Sequence, residues 1–389
     1  MKVVELTAFH IRIPLRRPIK HASHSRTETD NLLVRCLLDD GSEGFGEGVP
    51  RDYVTGETVD TAIELLRRSN LGAQLDACKD FHEALALAER LSTAPVRGDQ
   101  RGCQGNAARC AVEVALLDAA GRCFGEPVVA VTQILAPELH QPREHVRYSG
   151  AITSARGMKL LLAATMMRLY RFKQLKVKVG IAGYDDVRRL RRIRRCVGRR
   201  IDLRIDANEA WSPAEVVERI RELEPYGISS VEQPVPHAVV ACLAQARQEV
   251  HTPIMLDESL CSRYDAEQAV QNGTCNLFNL RLSKCGGFIR TLRLAQFARQ
   301  HGIGCQLGCQ VGESAVLSAA GRHFASSVGD LRYLEGSYDR HLVKEPLGME
   351  DLTFGRGGWA PALSAPGLGI MLDPEAVKRV TVRKEPLFG

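Results

Sequence analysis

Two hydrophobic periods divide the chain. As far as Gly48 apolar and polar positions alternate, as in half-buried strands, over residues 2–13, over residues 31–38 and, after the turn signal Asp39-Asp40-Gly41, in a short EGFGEG run. These predict an antiparallel meander. Helical spacing follows at residues 57–69, 81–92 and 104–123, the last rich in alanine and closed by a glycine. Strands first and helices after predict a separate α+β domain over residues 1–140. Within it Arg17–Thr29 and Pro50–Glu57 are expected to be loops. Gly44, Gly46 and Gly48 open no helix, so they fit a strand with tight turns better than a dinucleotide cradle.

From residue 141 to residue 355 the pattern becomes a repeat. Five β-prone runs each end in a polar residue, and these residues, Lys178, Asp206, Glu232, Asp257 and Lys284, recur at nearly equal intervals. Each interval holds one strand, one helix and two loops, so successive strands are parallel and joined by helices. The expected fold is therefore α/β, a (β/α)8-type barrel whose strand ends meet at one mouth. Residues 147–153 supply strand one, and IGCQLG and LRYLEG supply strands seven and eight, with Glu313 and Glu335 near their ends. Ser212-Pro213-Ala214-Glu215 reads as a capping box that starts a helix just after the Asp206 strand, which puts Asp206 and Asn208 at a C-terminal strand end.

Composition adds exclusions. The 389 residues are 44% hydrophobic and 25% charged, which is ordinary for a globular protein. No apolar run is long enough for a membrane span and the N-terminus lacks a signal-peptide layout, so a soluble cytoplasmic protein without a membrane partner is expected. The twelve scattered cysteines fit reduced thiols, and the pair Cys305 and Cys309 has no second pair with which to hold zinc. Much of the net charge of +6 lies in residues 185–200, where Val187, Leu190, Ile193 and Val197 mark an apolar face and arginines fill the other. That is a solvated outer helix with no nucleic-acid module.

Three acids on adjacent strand ends repel one another unless a cation sits among them, and hard carboxylate oxygens favour Mg²⁺, with Mn²⁺ possible. Asp206, Glu232 and Asp257 are that set. Lys176 and Lys178 share one face of their strand, so the charge of Lys176 helps keep Lys178 deprotonated. Lys178 and Lys284, from strands two and six, are expected to flank the metal from opposite sides. Such a base beside a metal suits abstraction of a proton α to a carboxylate, through an enediolate.

With these residues in place, the chain resembles the enolase superfamily, in the muconate lactonizing enzyme subgroup (the mandelate racemase/muconate lactonizing enzyme family), over nearly its whole length. The resemblance implies that Lys178 in LKVKVG is the base, Lys176 its neighbour, Lys284 in RLSKCGG the opposite lysine, and Asp206, Glu232 and Asp257 the metal ligands. It implies an N-terminal cap whose loops 17–29 and 50–57 choose the substrate, with Lys20, His24 and Tyr53 as contacts, and a C-terminal segment, 356–389, packed back on that cap. Asn208, Glu313 and Glu335 complete the candidate contacts. The implied activity is a Mg²⁺-dependent isomerase of a small carboxylate, either a muconate cycloisomerase or a racemase or epimerase of an amino-acid derivative. A β-eliminating o-succinylbenzoate synthase or dehydratase is the alternative, and a non-catalytic binding protein a remote one. Dipeptide epimerases of this family end strand eight in D-x-D, which holds the substrate ammonium; here Tyr333-Leu334-Glu335 stands in that place. A homo-oligomer is expected from the exposed barrel sides.

Overall fold

The computed structural model of the chain describes residues 1–20 and 25–389. Strands β1 (Val3–Lys20), β2 (Ser25–Leu38) and β3 (Glu43–Gly48) form an antiparallel sheet. Its fourth strand comes from the far end of the chain, β14 (Thr381–Phe388), antiparallel to β1. The first two strands are longer than the sequence pattern suggests. Arg17–Lys20 and Ser25–Thr29 lie in strand, paired as far as Lys20 with Ser25, so the expected loop 17–29 is mostly a hairpin arm. Cross-strand hydrogen bonding carries on after the apolar alternation stops.

β3 lies against the helix Asn106–Phe124, and the glycines explain how. A Cβ at Gly44, Gly46 or Gly48 would collide with the backbone of Ala119, Ala111 or Ala107 respectively. Side chains at i and i+2 face one side of a strand, and residues four apart share one side of a helix. A row of glycines therefore meets a row of alanines, and the two backbones approach directly.

The second sheet has eight parallel strands: β5 (Gly150–Ile152), β6 (Gln174–Lys178), β7 (Asp202–Asp206), β8 (Ile228–Glu232), β9 (Ile254–Leu256), β10 (Leu277–Leu280), β11 (Gly304–Leu307) and β12 (Leu331–Leu334). A hydrogen bond from Ser149 N to Leu334 O, 2.8 Å, ties the start of the first strand to the last. Helices connect consecutive strands, as parallel pairing demands. A small antiparallel pair, β4 (His145–Arg147) with β13 (Trp359–Pro361), joins the residues before β5 to the C-terminal segment.

The basic helix spans Asp186–Val197, and the Asp185 side chain caps it by accepting from Arg188 N at 2.8 Å, which satisfies one of the free donors of the first turn. Leu190, Ile193 and Val197 are buried, worth about 1.5–3 kcal/mol each. Val187 is only half-buried; Arg189 turns inward instead and donates to the carbonyls of Lys178 and Thr153. An arginine read as solvated thus anchors the end of β6. The helix expected after Ser212-Pro213-Ala214-Glu215 spans Val216–Leu223, and in the turn before it Glu215 Oε2 accepts from Ser212 N at 3.3 Å and from Ser212 Oγ at 2.7 Å.

All twelve cysteines are free thiols. Among the described residues no helix is long and apolar enough to cross a membrane. Four apolar side chains, Met158, Leu162, Met166 and Leu169, lie exposed along one helix.

Gly46→Ala should destabilise the protein by about 1–3 kcal/mol, because the strand and helix must separate to admit one methyl group. Urea unfolding of the wild type and the variant measures this directly.

Candidate active site

The parallel register brings the polar strand ends together. Lys178 pairs with Asp206 and Asp206 with Glu232 across β6, β7 and β8, while Asp257 directly follows β9. Asp206, Glu232 and Asp257 are all buried. One layer deeper, Lys176 pairs with Arg204. Because side chains alternate along a strand, Lys176 and Lys178, like Arg204 and Asp206, point to the barrel interior.

Cations hold these acids. The Lys176 ammonium lies 2.8 Å from Glu335, 3.3 Å from Asp206 and 3.5 Å from Glu232. Arg204 binds the other Glu335 oxygen at 2.5 Å and stacks over Tyr333. Arg281 donates to Asp257 and lies 3.6 Å from Glu232. Burial pushes Glu232 up to about 8, opposed by Lys176 and reinforced by Asp206, Glu335 and Asp257. Burial also tends to raise Glu335, yet Lys176 and Arg204 hold it down at about 2. Lys178 is shifted below the ordinary lysine value, first by burial and then, against the pull of Asp206, by the charge of Lys176.

The expected lysine pair does not form in the way the sequence suggested. Lys284 lies in the turn beyond β10, not at the strand end, and its side chain is 0% exposed. Its Nζ donates to Asp257 O at 2.6 Å, Asp257 Oδ1 at 2.8 Å and Asn279 O at 2.9 Å. An ammonium has three donors, and all three are engaged. Glu335 likewise faces the barrel interior, neutralised by Lys176 and Arg204 rather than left for a substrate.

The other candidates are dispersed. Asn208 is buried at a positive φ of 45°, its N–H bound to Asp206 Oδ1 at 3.0 Å, so it shapes the turn beyond the acid. Glu313 is half-buried at the mouth, its Oε1 accepting from Gln310 N at 2.6 Å; burial pushes it up to about 8. Tyr53, under the Arg26 guanidinium, packs with Val54, Cys103 and Cys261 where the cap meets the loop after Asp257. Its loop is fastened by the buried Arg51, which donates to Thr29 Oγ1 at 2.7 Å and Val311 O at 2.9 Å. Lys20 ends β1, and His24 lies outside the described residues.

Three site residues escaped the sequence reading. Arg281 is the first polar residue after the β10 run, three positions before the lysine chosen instead. Glu258, directly after Asp257, is buried with Oε2 unpartnered, and burial with Asp257 nearby pushes it well above the usual carboxylate range. Arg204 had no signal beyond its parity with Asp206.

Among the described residues the acids form no ready-made metal cage, since each is turned to a lysine or arginine. The donor chemistry nevertheless fits a hard divalent ion. The set is carboxylate oxygen, water is largely excluded, and two further buried oxygens beside it, Glu258 Oε2 and Asn279 Oδ1, lack hydrogen-bond partners.

A barrel of eight parallel strands behind an N-terminal α+β cap defines the enolase class of fold. The chain belongs to the mandelate racemase/muconate lactonizing enzyme family: that family's N-terminal domain matches residues 3–132, and the enolase C-terminal domain-like family matches residues 160–376. It is 30% identical to an L-Ala-D/L-Glu epimerase of Clostridium acetobutylicum, over 84% of this chain and 87% of that one. The crystal structure of an N-succinyl Arg/Lys racemase from Bacillus cereus superposes with a TM-score of 0.85 at 26% identity, over 99% of this chain and all of that one. A Cytophaga hutchinsonii dipeptide epimerase, complexed with Mg and D-Ala-L-Val, gives 0.85 at 26% identity over the whole of both chains. These relatives support an isomerase of the enolase superfamily.

Arg204→Met should destabilise the fold by about 3–5 kcal/mol, because it leaves a buried Glu335 oxygen without its cation. Chemical denaturation tests it; a change under about 1 kcal/mol, the size expected of an exposed pair, is the contrary result.

Proposed function

We propose that the protein is a Mg²⁺-dependent isomerase that removes a proton α to the carboxylate of a small substrate, with Lys178 as the base, as a cycloisomerase or as a racemase or epimerase of an amino-acid derivative. The observation that carries this reading is the register of β6, β7 and β8, which sets Lys178 beside Asp206 and Glu232. Asp206, Glu232 and Asp257 would hold the ion, Mg²⁺ or Mn²⁺, which supplies positive charge to the two oxygens of the enediolate.

The chain's own residues divide the remaining work. Lys178 takes the proton, its amine shifted below the ordinary lysine range by burial and, against the pull of Asp206, by the neighbouring Lys176 ammonium. Lys176 holds Glu335, Asp206 and Glu232 together, so its positive charge stays next to the base. Arg189 fixes the Lys178 carbonyl and with it the end of the strand that aims the base. The cap closes the mouth through Asn31, which donates to Gly312 O at 2.8 Å, and through Arg51, which limits the room for water. Tyr53 and Glu313 are the contacts proposed to select the substrate.

Lys178→Ala should abolish α-hydrogen exchange with D₂O, read by NMR over a panel of N-succinyl amino acids, dipeptides and muconates. Exchange at the wild-type rate would remove Lys178 from the role of base. Chelation should silence the enzyme and Mg²⁺ should restore it, with calorimetric Mg²⁺ binding lost in Asp206→Asn; activity in a metal-free preparation verified by elemental analysis would refute the requirement.

Unblocked dipeptides such as L-Ala-L-Glu should be poor substrates. The one acid at the end of β12 is already bound by Lys176 and Arg204, and a missing charge-assisted hydrogen bond lowers affinity by about 10- to 100-fold. Comparison of the concentration dependence of α-hydrogen exchange in D₂O with N-succinyl analogues measures the deficit.

A further inference from the structure

The two sides of the site carry different chemistry. On the β6 side, Lys178 is half-buried and its amine makes no hydrogen bond or ion pair among the described residues. On the β10 side, the only lysine is enclosed. Lys284 has three acceptors around Nζ, its side chain is 0% exposed, and the cap residue Asn106 closes over it by donating to its carbonyl at 2.7 Å. The residue that leaves the strand end itself is Arg281. Its side chain is 13% exposed, Nη2 reaches Asp257 and Glu232, and its buried Nε has no partner among the described residues.

The geometry points to Arg281, rather than Lys284, as the group that faces the substrate opposite Lys178, so that the α-proton leaves and returns on the Lys178 face alone. This rests on the reading of Lys178 as base. A guanidinium keeps its protons across the range in which enzymes work and offers a rigid fork suited to carboxylate oxygen. Arg281 is thus a substrate-binding residue: among the described residues only its Nη2 is engaged by the acids, which leaves Nη1 of the part-exposed fork for a substrate oxygen. In the step itself the Cα–H bond breaks, its electron pair enters the enediolate and its proton goes to Lys178 Nζ. The return delivers that proton from the same Nζ to the same face of the same carbon; in an elimination the enediolate's electron pair instead forms the Cα–Cβ double bond while the bond from Cβ to its oxygen substituent breaks, the oxygen leaving with that bonding pair and the proton passing from Nζ to it or to solvent. One-face chemistry of this kind suits a cycloisomerisation or the loss of a β-substituent. It does not interconvert enantiomers.

The experiment follows solvent deuterium into both enantiomers of each N-succinyl amino acid in the panel and into muconolactone. The wild type should exchange one enantiomer only, with retention and without accumulation of its mirror image. Arg281→Lys, which places a titratable amine at the strand end, should gain exchange of the other enantiomer. Arg281→Met should weaken binding of the exchanged enantiomer by about 10- to 100-fold, the size of a lost charge-assisted hydrogen bond. Two readouts are independent of turnover. Acetic anhydride should modify Lys178 in the folded enzyme while sparing Lys284, as read by peptide mass spectrometry, and Mg²⁺ affinity measured by calorimetry should change in Arg281→Met, since the guanidinium contacts two of the proposed ligands. Wild-type exchange of both enantiomers, or Lys284 acetylated as fast as Lys178, would overturn the assignment. If Lys178→Ala still exchanges the preferred enantiomer, the base itself is wrong, and that result is distinct from either of these.

Discussion

Carboxylates buried at the ends of neighbouring parallel strands must be met by positive charge within a few ångströms, and the architecture of this protein follows from that requirement. The barrel supplies the cations from its own interior faces: Lys176 and Arg204 one layer below the acids, Arg281 beside them, and Lys284 from the turn behind Asp257. Desolvation penalises every one of these charges taken singly. Together they make a closed electrostatic unit, and among the described residues the Lys178 amine makes no hydrogen bond to it.

The cap is part of the same unit. The Glu47 carboxylate, from β3, accepts from Ser314 Oγ at 2.8 Å and from the N–H groups of Ser314 and Leu317, at the start of a barrel helix where partial positive charge gathers. Glu113, in the helix against which β3 packs, accepts from Ile289 N at 2.9 Å, and Arg109 donates to Gly286 O at 2.5 Å. These contacts reach the turn that also holds Lys284 and Arg281. The segment that shapes one side of the site is therefore gripped from above by the cap and from inside by the acids.

Much of this was legible in the sequence, because the spacing of polar residues after apolar runs is a direct image of strand length plus crossover length. The repeat located Lys178, Asp206, Glu232 and Asp257, and parity located Lys176. It failed at the sixth strand, where LFNLRLSK offers two basic residues and periodicity cannot tell which one ends the strand. The hydrogen-bonded register does: β10 stops at Leu280, and Arg281 emerges where Lys284 was expected. Glu335 was legible as an acid near the mouth, but its partners, Arg204 and Lys176, come from strands far away in sequence. The hairpin extension through Arg17–Lys20 was hidden for a different reason, since its strand pairing does not depend on an alternating apolar face.

The glycine row of β3 against the alanine row of its helix bears on how this fold can be recombined. That contact has no side chains to adjust, so the helix sits at one height above the sheet, and Asn106, Arg109 and Glu113 on it reach fixed points on the barrel. A cap transplanted from a relative with a bulkier strand would carry its helix farther out and miss those points. The cap and the turn after β10 are therefore inherited together. Specificity grafted onto this scaffold has to travel as a pair of segments, even though Arg109 and its partner Gly286 are 177 residues apart in the chain.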